Sequence, residues 1–437
     1  MRLSDYIIDV EFRDGSVALF STISRALVKV EPTKYEELKC GDYKRSFTDD
    51  EISFLASRHI LVDEGLNETE YAYVTLMRDR ISPKVYSTYL ALTTDCNFMC
   101  PYCYETGQVT RQLRFTEADL PRVLQMYERI LDREHYTSMK VTLYGGEPLL
   151  DTDLLKVYVK GLKDLADRRS VTLYFDIITN GYLFDSEKQD FLIENGLVDA
   201  QITLDGSKEF HDQRRVLING SGTYDTIISN VFKAADKGLC VTIRVNFDVS
   251  NLSSIPLLLE DLAKCPNKEN LSVYFAPVHQ TSSQWNDPLS FCSMCSIDGS
   301  PEIIDSLCRL YSRLHALGFS IPIYYSCGPC MLIASDAVLI APSGRLFKCV
   351  EMIGKNDLAV GSLESVEYSS YYYHFMAGDR ANECIQSSCR FAPICSGGCL
   401  VENSIASGRL DQGFKCQKRI IEEVTKHLIT LRCDRIE

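Results

Sequence analysis

Apolar and polar positions change their spacing twice along this chain. Up to about residue 85, short apolar runs at Tyr6–Val10, Val17–Phe20 and Ala26–Val30 alternate with polar turns such as Arg13-Asp14-Gly15. That pattern predicts strands. Helical spacing follows at Thr33–Lys39 and Asp49–His59. The second helix opens on Thr48 with Glu51 three residues on, the spacing of a capping box. Ile60-Leu61-Val62 predicts one more short strand. Strands with two or three helices in this length predict a winged-helix-like module over residues 1–85.

From about 86 to 320 the chain alternates between the two periods. Strands are predicted at Ser87–Thr93, Lys140–Leu143, Val171–Ile178, Ala200–Leu204, Val241–Val245 and Leu271–Phe275. Helices are predicted at Glu117–Leu131, Leu154–Ala166, Ser186–Asn195, Tyr224–Lys237, Ile255–Leu262 and Ile303–Leu317. Six βα units imply an α/β fold with a parallel sheet and right-handed crossovers. In such sheets the chemistry sits at the C-terminal ends of the strands. The distinctive residues fall there: Asp95 and Cys96, Gly145–Pro148, Thr179-Asn180-Gly181 and Asp205-Gly206. Residues 321–437 have few long periodic segments before a terminal helix near Arg419–Leu431, and are rich in Cys, Gly, Pro and Tyr.

Composition narrows the function classes. The 437 residues carry a net charge of −14. Through Lys84 there are 12 basic and 16 acidic residues, which argues against nucleic acid as the partner of a winged-helix-like module. No run of 18 apolar residues occurs, so no membrane-spanning helix is expected. The N-terminal stretch has charges inside its apolar run and no cleavage pattern, so the expected location is cytoplasmic. The chain holds 18 cysteines, and without an export signal these read as reduced thiolates for metal. Only Cys40 precedes Cys96, three crowd into Cys96–Cys103, and ten fall from Cys292 to Cys399.

Cys96, Cys100 and Cys103 have the spacing C-x3-C-x2-C. Three thiolates on one loop can hold three irons of a [4Fe–4S] cube and leave the fourth open to a ligand. Gly145-Gly146-Glu147-Pro148 follows the second strand of the repeat, where glycines permit close approach and Glu147 offers an acceptor. Asn180 and Thr203 end the third and fourth strands, and Arg244 lies in the fifth. The later cysteines read Cys330-x13-Gly344-x4-Cys349, then Cys384-x4-Cys389-x5-Cys395-x3-Cys399, then Cys416. Cys292-x2-Cys295 stands apart, and Cys40, Cys240, Cys265, Cys308 and Cys433 are isolated and read as ordinary thiols. His211, in His211-Asp212-Gln213-Arg214-Arg215, reads as an architectural residue.

The cysteine loop, with Tyr102 beside its last cysteine, resembles the radical SAM superfamily. The resemblance implies a partial (β/α)6 barrel in which S-adenosylmethionine (SAM) chelates the open iron and is cleaved to a 5′-deoxyadenosyl radical. It also implies contacts from Gly145, Gly146 and Glu147 to the SAM amino group. Asn180 and Thr203 would meet the ribose and Arg244 the carboxylate. The later cysteines resemble the SPASM domain of peptide and protein maturases, with C-x4-C here where that domain has C-x2-C. Two auxiliary [4Fe–4S] clusters are implied, three clusters in all. Cys330, Cys349 and Cys399 would serve the first, with Cys327 as a fourth ligand or that iron open. Cys384, Cys389, Cys395 and Cys416 would serve the second.

The front module resembles the peptide-recognition element of modified-peptide pathways, with Leu27–Val30 and the Thr33–Lys39 helix beside its groove. Together these imply domains at 1–85, 86–320 and 321–437. They imply a maturase that crosslinks a ribosomally made precursor peptide, fed electrons by a partner such as flavodoxin or ferredoxin. An anaerobic sulfatase-type maturase is the alternative, but that family has Asp directly after the G-x4-C cysteine, where this chain has Val350 and then Glu351. A non-catalytic iron–sulfur carrier or peptide-binding scaffold would not need the Glu147 and Asn180 set. No general base is singled out; Glu105, Glu351 and His279 are candidates by position.

Overall fold

The structure is a computed structural model that describes residues 1–81, 84–103, 105, 113–278, 300–325, 331–365, 367–377, 380–395, 397–399 and 416–434. The first 81 residues form β1 (Arg2–Leu3), β2 (Ile7–Glu11), β3 (Val17–Ser21), β4 (Leu27–Val30), α1 (Pro32–Cys40), α2 (Asp49–Ser57), β5 (Leu61–Val62) and α3 (Glu68–Ile81). The capping box at α2 is present, with Thr48 accepting from the Glu51 backbone and Glu51 returning to Thr48. β2, β3 and β4 make one antiparallel sheet, and β1 pairs with β5.

β3, the central strand of the three-stranded sheet, is buried on both faces, whereas β2 and β4 are only partly buried. Ile7, Val17, Leu19 and Val30 pack with Tyr35, Leu38 and Leu55 in a core of their own. Ile8, Ala18 and Phe20 point the other way and join the main core of the molecule. Period-2 alternation thus sends one strand's side chains into two cores.

The middle of the chain supplies β6 (Val85–Thr93), α4 (Leu120–Arg133), β7 (Ser138–Gly145), α5 (Thr152–Arg169), β8 (Thr172–Thr179), α6 (Ser186–Glu194), β9 (Leu197–Leu204), α7 (Lys208–Arg214), α8 (Tyr224–Asp236), β10 (Cys240–Phe247), α9 (Ile255–Leu262), β11 (Leu271–Pro277) and α10 (Pro301–Ala316). All six strands are found, paired in parallel from β6 through β11 in sequence order. Their outward residues, such as Val141, Leu143 and Ile177, pack under Leu155, Tyr158 and Leu162 of α5.

The last third adds β12 (Ala337–Ile340), β13 (Arg345–Phe347), β14 (Gly361–Ser362), α11 (Ser370–Ala377), α12 (Arg380–Gln386), α13 (Ala392–Cys395) and α14 (Lys418–Cys433). The sheet does not stop at residue 320. β12 pairs in parallel with β6, and β13 and β14 continue it, giving the order β11-β10-β9-β8-β7-β6-β12-β13-β14. α14 packs between α10 and the β2–β3 face. There Tyr325 N–H donates to Thr425 and Arg432 to the Ile321 carbonyl at 2.8 Å. No helix among the described residues is long and apolar enough to cross a membrane.

One buried carboxylate ties the chain start to α3. Glu68 is 4% exposed and accepts from Arg2 at 2.7 Å, from the Asp5 N–H at 2.9 Å and from the Ser4 hydroxyl. His59 Nε2 lies 3.3 Å away. Burial alone would raise the Glu68 pKa; the His59, Ser4 and Asp5 hydrogen bonds and the Arg2 charge reverse this and hold it at about 2. A depressed carboxyl pKa stabilises the fold above its unfolded value and loses that contribution as pH falls toward 2. Glu68→Gln should cost about 1–3 kcal/mol at neutral pH. Urea-dependent proteolysis within residues 1–80 should show it, and the gap from wild type should narrow as pH drops from about 4 toward 2.

Candidate active site

β6 ends in Thr93, and the chain then runs through Asp95 into the loop carrying Cys96, Cys100 and Cys103. The register of β6 against β7 shifts between Ala91 and Thr93, so Thr93 faces Gly145. Such an irregularity re-aims the strand end. Gly146 N–H then donates to the Thr93 carbonyl and Glu147 N–H to the Asp95 carbonyl, both at 2.9 Å. A Cβ on Gly145 would lie 2.2 Å from the Thr93 oxygen, and one on Gly146 would lie 2.3 Å from the Asp95 oxygen. Both distances are impossible for real atoms. The two glycines are required by the approach of β7 to the cysteine loop, before any ligand is considered.

Glu147 lies beneath this junction, fully buried. Its carboxylate accepts from the Thr179 hydroxyl at 2.7 Å, the Asn180 N–H at 2.8 Å and the Leu149 N–H at 3.1 Å. Burial pushes its pKa up to about 6 against the pull of those hydrogen bonds. Three donors from its own chain already engage the acceptor that the sequence assigned to an ammonium group. Asn180 in turn donates to Asn97 at 2.8 Å and approaches the Cys96 sulfur at 3.8 Å. β7 and β8 therefore meet on the cysteine loop.

A second set of groups holds the loop from its other side. Met99 N–H donates to Val216 C=O and Ile218 N–H to Asn97 C=O, while Phe98 bridges Leu217. Arg215 donates to the Tyr102 hydroxyl at 2.8 Å and stacks over Phe98 at 5.6 Å. Arg214 lies over the Tyr102 ring at 5.0 Å. It also pairs with Asp248 at 2.8 Å and Asp205 at 3.4 Å. Burial would lower the Arg215 pKa, but Tyr102, Cys100 and Asp205 outweigh it and keep the guanidinium charged. His211 joins elements of the scaffold. Its Nδ1 accepts the Asp205 N–H at 3.3 Å and its Nε2 meets the Thr223 hydroxyl at 3.0 Å. Because Thr223 donates to the Arg215 carbonyl at 2.6 Å, Nε2 carries the proton. Burial, with Arg215 nearby, pushes the His211 pKa down to about 3.

The other predicted residues fall around this core. Thr203 on β9 and Arg244 on β10 are register partners, and Arg244 donates to Asn246 at 2.8 Å. Glu105 is buried. Cys349 begins the turn Val350–Met352 that contains Glu351. Cys327, Cys330, His279, Cys292 and Cys295 lie outside the described residues. A cavity of about 530 Å³ is lined by Thr93, Asp95, Arg114, Pro148 and Asp151.

The donor chemistry fits an iron–sulfur group. Cys96 is half-buried near Cys100 and Cys103, and desolvation, then the Glu147 charge, pushes its thiol up to about 12. Cys384 feels Cys389, Cys395 and Cys416, and its thiol is pushed up to about 11 by burial first. Among the described residues, no three Cys, His, Asp or Glu side chains are already closed into a coordination shell. The thiols share neighbourhoods that a soft, thiolate-bound centre would draw together. Sequence pattern alone assigned no role to Arg214 and Arg215. The available signal was a pair of arginines nine and ten residues after a strand-end Asp205.

Residues 90–262 match the sequence model of the Radical SAM superfamily. A probable GTP 3′,8-cyclase of Methanopyrus kandleri is 28% identical over 191 residues, covering 43% of this chain and 56% of that protein. A cysteine-type anaerobic sulfatase-maturating enzyme of Clostridium novyi is 27% identical over 143 residues, covering 32% and 37%. The chain thus spans about half the length, or less, of these relatives. Among solved structures, anSMEcpe with bound AdoMet superposes with a TM-score of 0.60 at 15% identity, covering 80% of this chain and 98% of that one. Streptococcus suis SuiB bound to S-adenosylmethionine gives 0.56 at 14% identity, covering 96% and 100%.

Two substitutions test the two sides of the loop. Glu147→Ala strands three buried donors and should destabilise the protein by about 3 kcal/mol, read from thermal unfolding of the metal-free chain. Arg215→Met should lower the iron retained after reconstitution of the Cys96 loop, and Arg215→Lys should restore part of it. Unchanged iron in Arg215→Met would show that the Tyr102 contact does not position the loop.

Proposed function

We propose that this chain, whose residues 90–262 match the Radical SAM superfamily, is a radical SAM enzyme that crosslinks a ribosomally made precursor peptide. The observation that carries the radical assignment is the three-cysteine loop docked on Gly145, Gly146 and Glu147 at the C-terminal end of the sheet. Cys96, Cys100 and Cys103 would hold the cluster, leaving Asn180, Thr203 and Arg244 to face SAM. When bound, cluster and SAM together supply a 5′-deoxyadenosyl radical that abstracts hydrogen from the substrate. The chain's own work is to fix the loop, align the substrate and keep water out. Tyr102, clamped by Arg215 and Asn246, and the buried Tyr144 beside Gly145 wall that site.

A peptide substrate is supported by the first module. Ser21 N–H donates to Ala26 C=O, which fixes the alternation along β3 and β4. Leu27 and Lys29 therefore turn their backbone groups away from β3. β4 is an edge strand, so those groups can pair with an added peptide strand. Solved neighbours include SuiB bound to the precursor peptide SuiA, with a TM-score of 0.52 at 14% identity. SuiB also spans nearly all of this chain, whereas anSMEcpe covers 80% of it. That wider coverage, with a precursor peptide bound to SuiB, supports a precursor-peptide substrate. Forming a crosslink removes two hydrogens, so an electron must leave after the first abstraction. Auxiliary clusters at Cys349 and Cys399, with Cys327 and Cys330, and at Cys384, Cys389, Cys395 and Cys416 would accept it. A flavodoxin- or ferredoxin-like donor would supply the initial electron.

Replacing Cys96, Cys100 and Cys103 by Ala should abolish 5′-deoxyadenosine formation in anaerobically reconstituted protein. Undiminished formation would end the radical assignment. Lys29→Pro removes an outward N–H on β4 and should weaken capture of a precursor encoded beside this gene by about tenfold or more. SAM cleavage should persist. Tandem mass spectrometry of that precursor then decides the product: loss of two hydrogens with two residues joined marks a crosslink, and an aldehyde on a single residue, formed from Ser by loss of two hydrogens or from Cys with loss of sulfur, marks formylglycine.

A further inference from the structure

The three-stranded sheet of the first module has two edges, and they differ. β4 is open, as described. The outer edge of β2 is taken by the segment that carries Cys384, Cys389 and Cys395. Arg390, the residue after Cys389, donates to the Ile7 carbonyl at 2.9 Å and lies 3.6 Å from the Asp9 carboxylate. Its own carbonyl accepts from the Thr22 hydroxyl at 2.6 Å. Thr22 is fully buried and donates its N–H to the Tyr6 carbonyl at 3.0 Å. Tyr6 packs with Ala72 and Leu76 of α3 against Ala381, Ile385 and Ala392, with Cys384 and Cys389 at the border of that cluster. Tyr6 itself is 3% exposed.

The gripping segment is poorly equipped to hold its own shape. α12 has seven residues and α13 four. Helices this short are unstable unless something else fixes them. Their shared feature is thiols: the Cys389 N–H donates to the Cys384 carbonyl at 2.9 Å, and the Cys395 N–H to the Phe391 carbonyl at 2.9 Å. Cys384, Cys389, Cys395 and Cys416 lie within each other's electrostatic reach. A metal centre drawing these four together would supply the missing cross-link, since binding energy at such a site is folding energy.

We propose that the Cys384–Cys389–Cys395–Cys416 set, when metallated, is the anchor that holds the N-terminal peptide-reading module by its β2 edge, leaving β4 free to take substrate. The inference rests on the metal-site reading of these cysteines but needs no catalytic turnover. The role is mechanical: occupancy of the set fixes the β2 edge, while Ile8, Ala18 and Phe20 on the sheet's face stay packed on the main core. No electron or atom moves in this role.

The test is hydrogen–deuterium exchange on the full, anaerobically reconstituted chain, with iron measured in parallel. Cys395→Ala should lose about four irons and raise the exchange rate of residues 5–22 and 68–81 by about tenfold or more. The barrel strand Ser138–Gly145 should stay protected. Arg390→Ala breaks the grip without touching a ligand, so it should raise exchange in 5–22 with iron unchanged. Loss of four irons with unchanged exchange in 5–22 overturns the proposal. So does unchanged exchange in Arg390→Ala. Because Cys395→Ala could unfold as a whole, wild-type protein stripped stepwise with a chelator provides a second reading. Exchange in 5–22 rising before that in Ser138–Gly145 supports the anchor, and a simultaneous rise or none refutes it. Failure to form 5′-deoxyadenosine in wild type would remove the enzyme reading while leaving these results to stand.

Discussion

Close approach of β7 to the end of β6 is the constraint on which the remaining geometry depends. Two backbones meet there with no room for a Cβ at Gly145 or Gly146, and two hydrogen bonds of 2.9 Å join them. The junction draws the Cys96 loop onto the sheet. It also places Glu147 where three donors from β8 and its own turn converge. A buried carboxylate without partners would be costly. With three it acts as a rigid bracket, and removing it leaves the donors unsatisfied. Asn180 carries the same register outward to Asn97 and Cys96. The three strand ends β6, β7 and β8 are thus one mechanical unit.

The opposite wall of the loop is electrostatic. Arg214 and Arg215 are both buried, as are Asp205 and Asp248. Taking such charges out of water is expensive, so each must find a partner or an aromatic face. Tyr102 supplies a face to Arg214 and a hydroxyl to Arg215, and Phe98 supplies a second face. The residues between the cysteines are therefore not free spacers. They are the contacts through which α7 and the Val216–Ile218 segment after it set the loop's shape.

The division into three consecutive segments is clear in sequence and blurred in space. β12 to β14 lengthen the central sheet at the β6 edge. The terminal helix α14 lies against both α10 and the first module's sheet. Arg80 of α3 is fully buried, donating to Ile333 and Met376 carbonyls in the last third. Residues from both ends of the chain pack in one core, which places the module that would read a peptide against the segment whose cysteines would hold metal.

Period alone determined the six βα units, the capping box at Thr48 and Glu51, and the placing of Cys96, Gly145–Glu147, Asn180 and Asp205 at strand ends. Local spacing carries that information, because a strand followed by a helix is a short-range pattern and cysteine spacing is written along one loop. Three things were decided only by tertiary structure. Glu147 became a bracket because Thr179 and Asn180, more than 30 positions away, point their donors at it. Arg214 and Arg215 became loop clamps because the fold brings α7 under Tyr102. Thr22 and Arg390 became a joint across 368 positions. In each case the partner lies on another element, and a pattern read along one strand or helix holds no record of which distant surface will cover it.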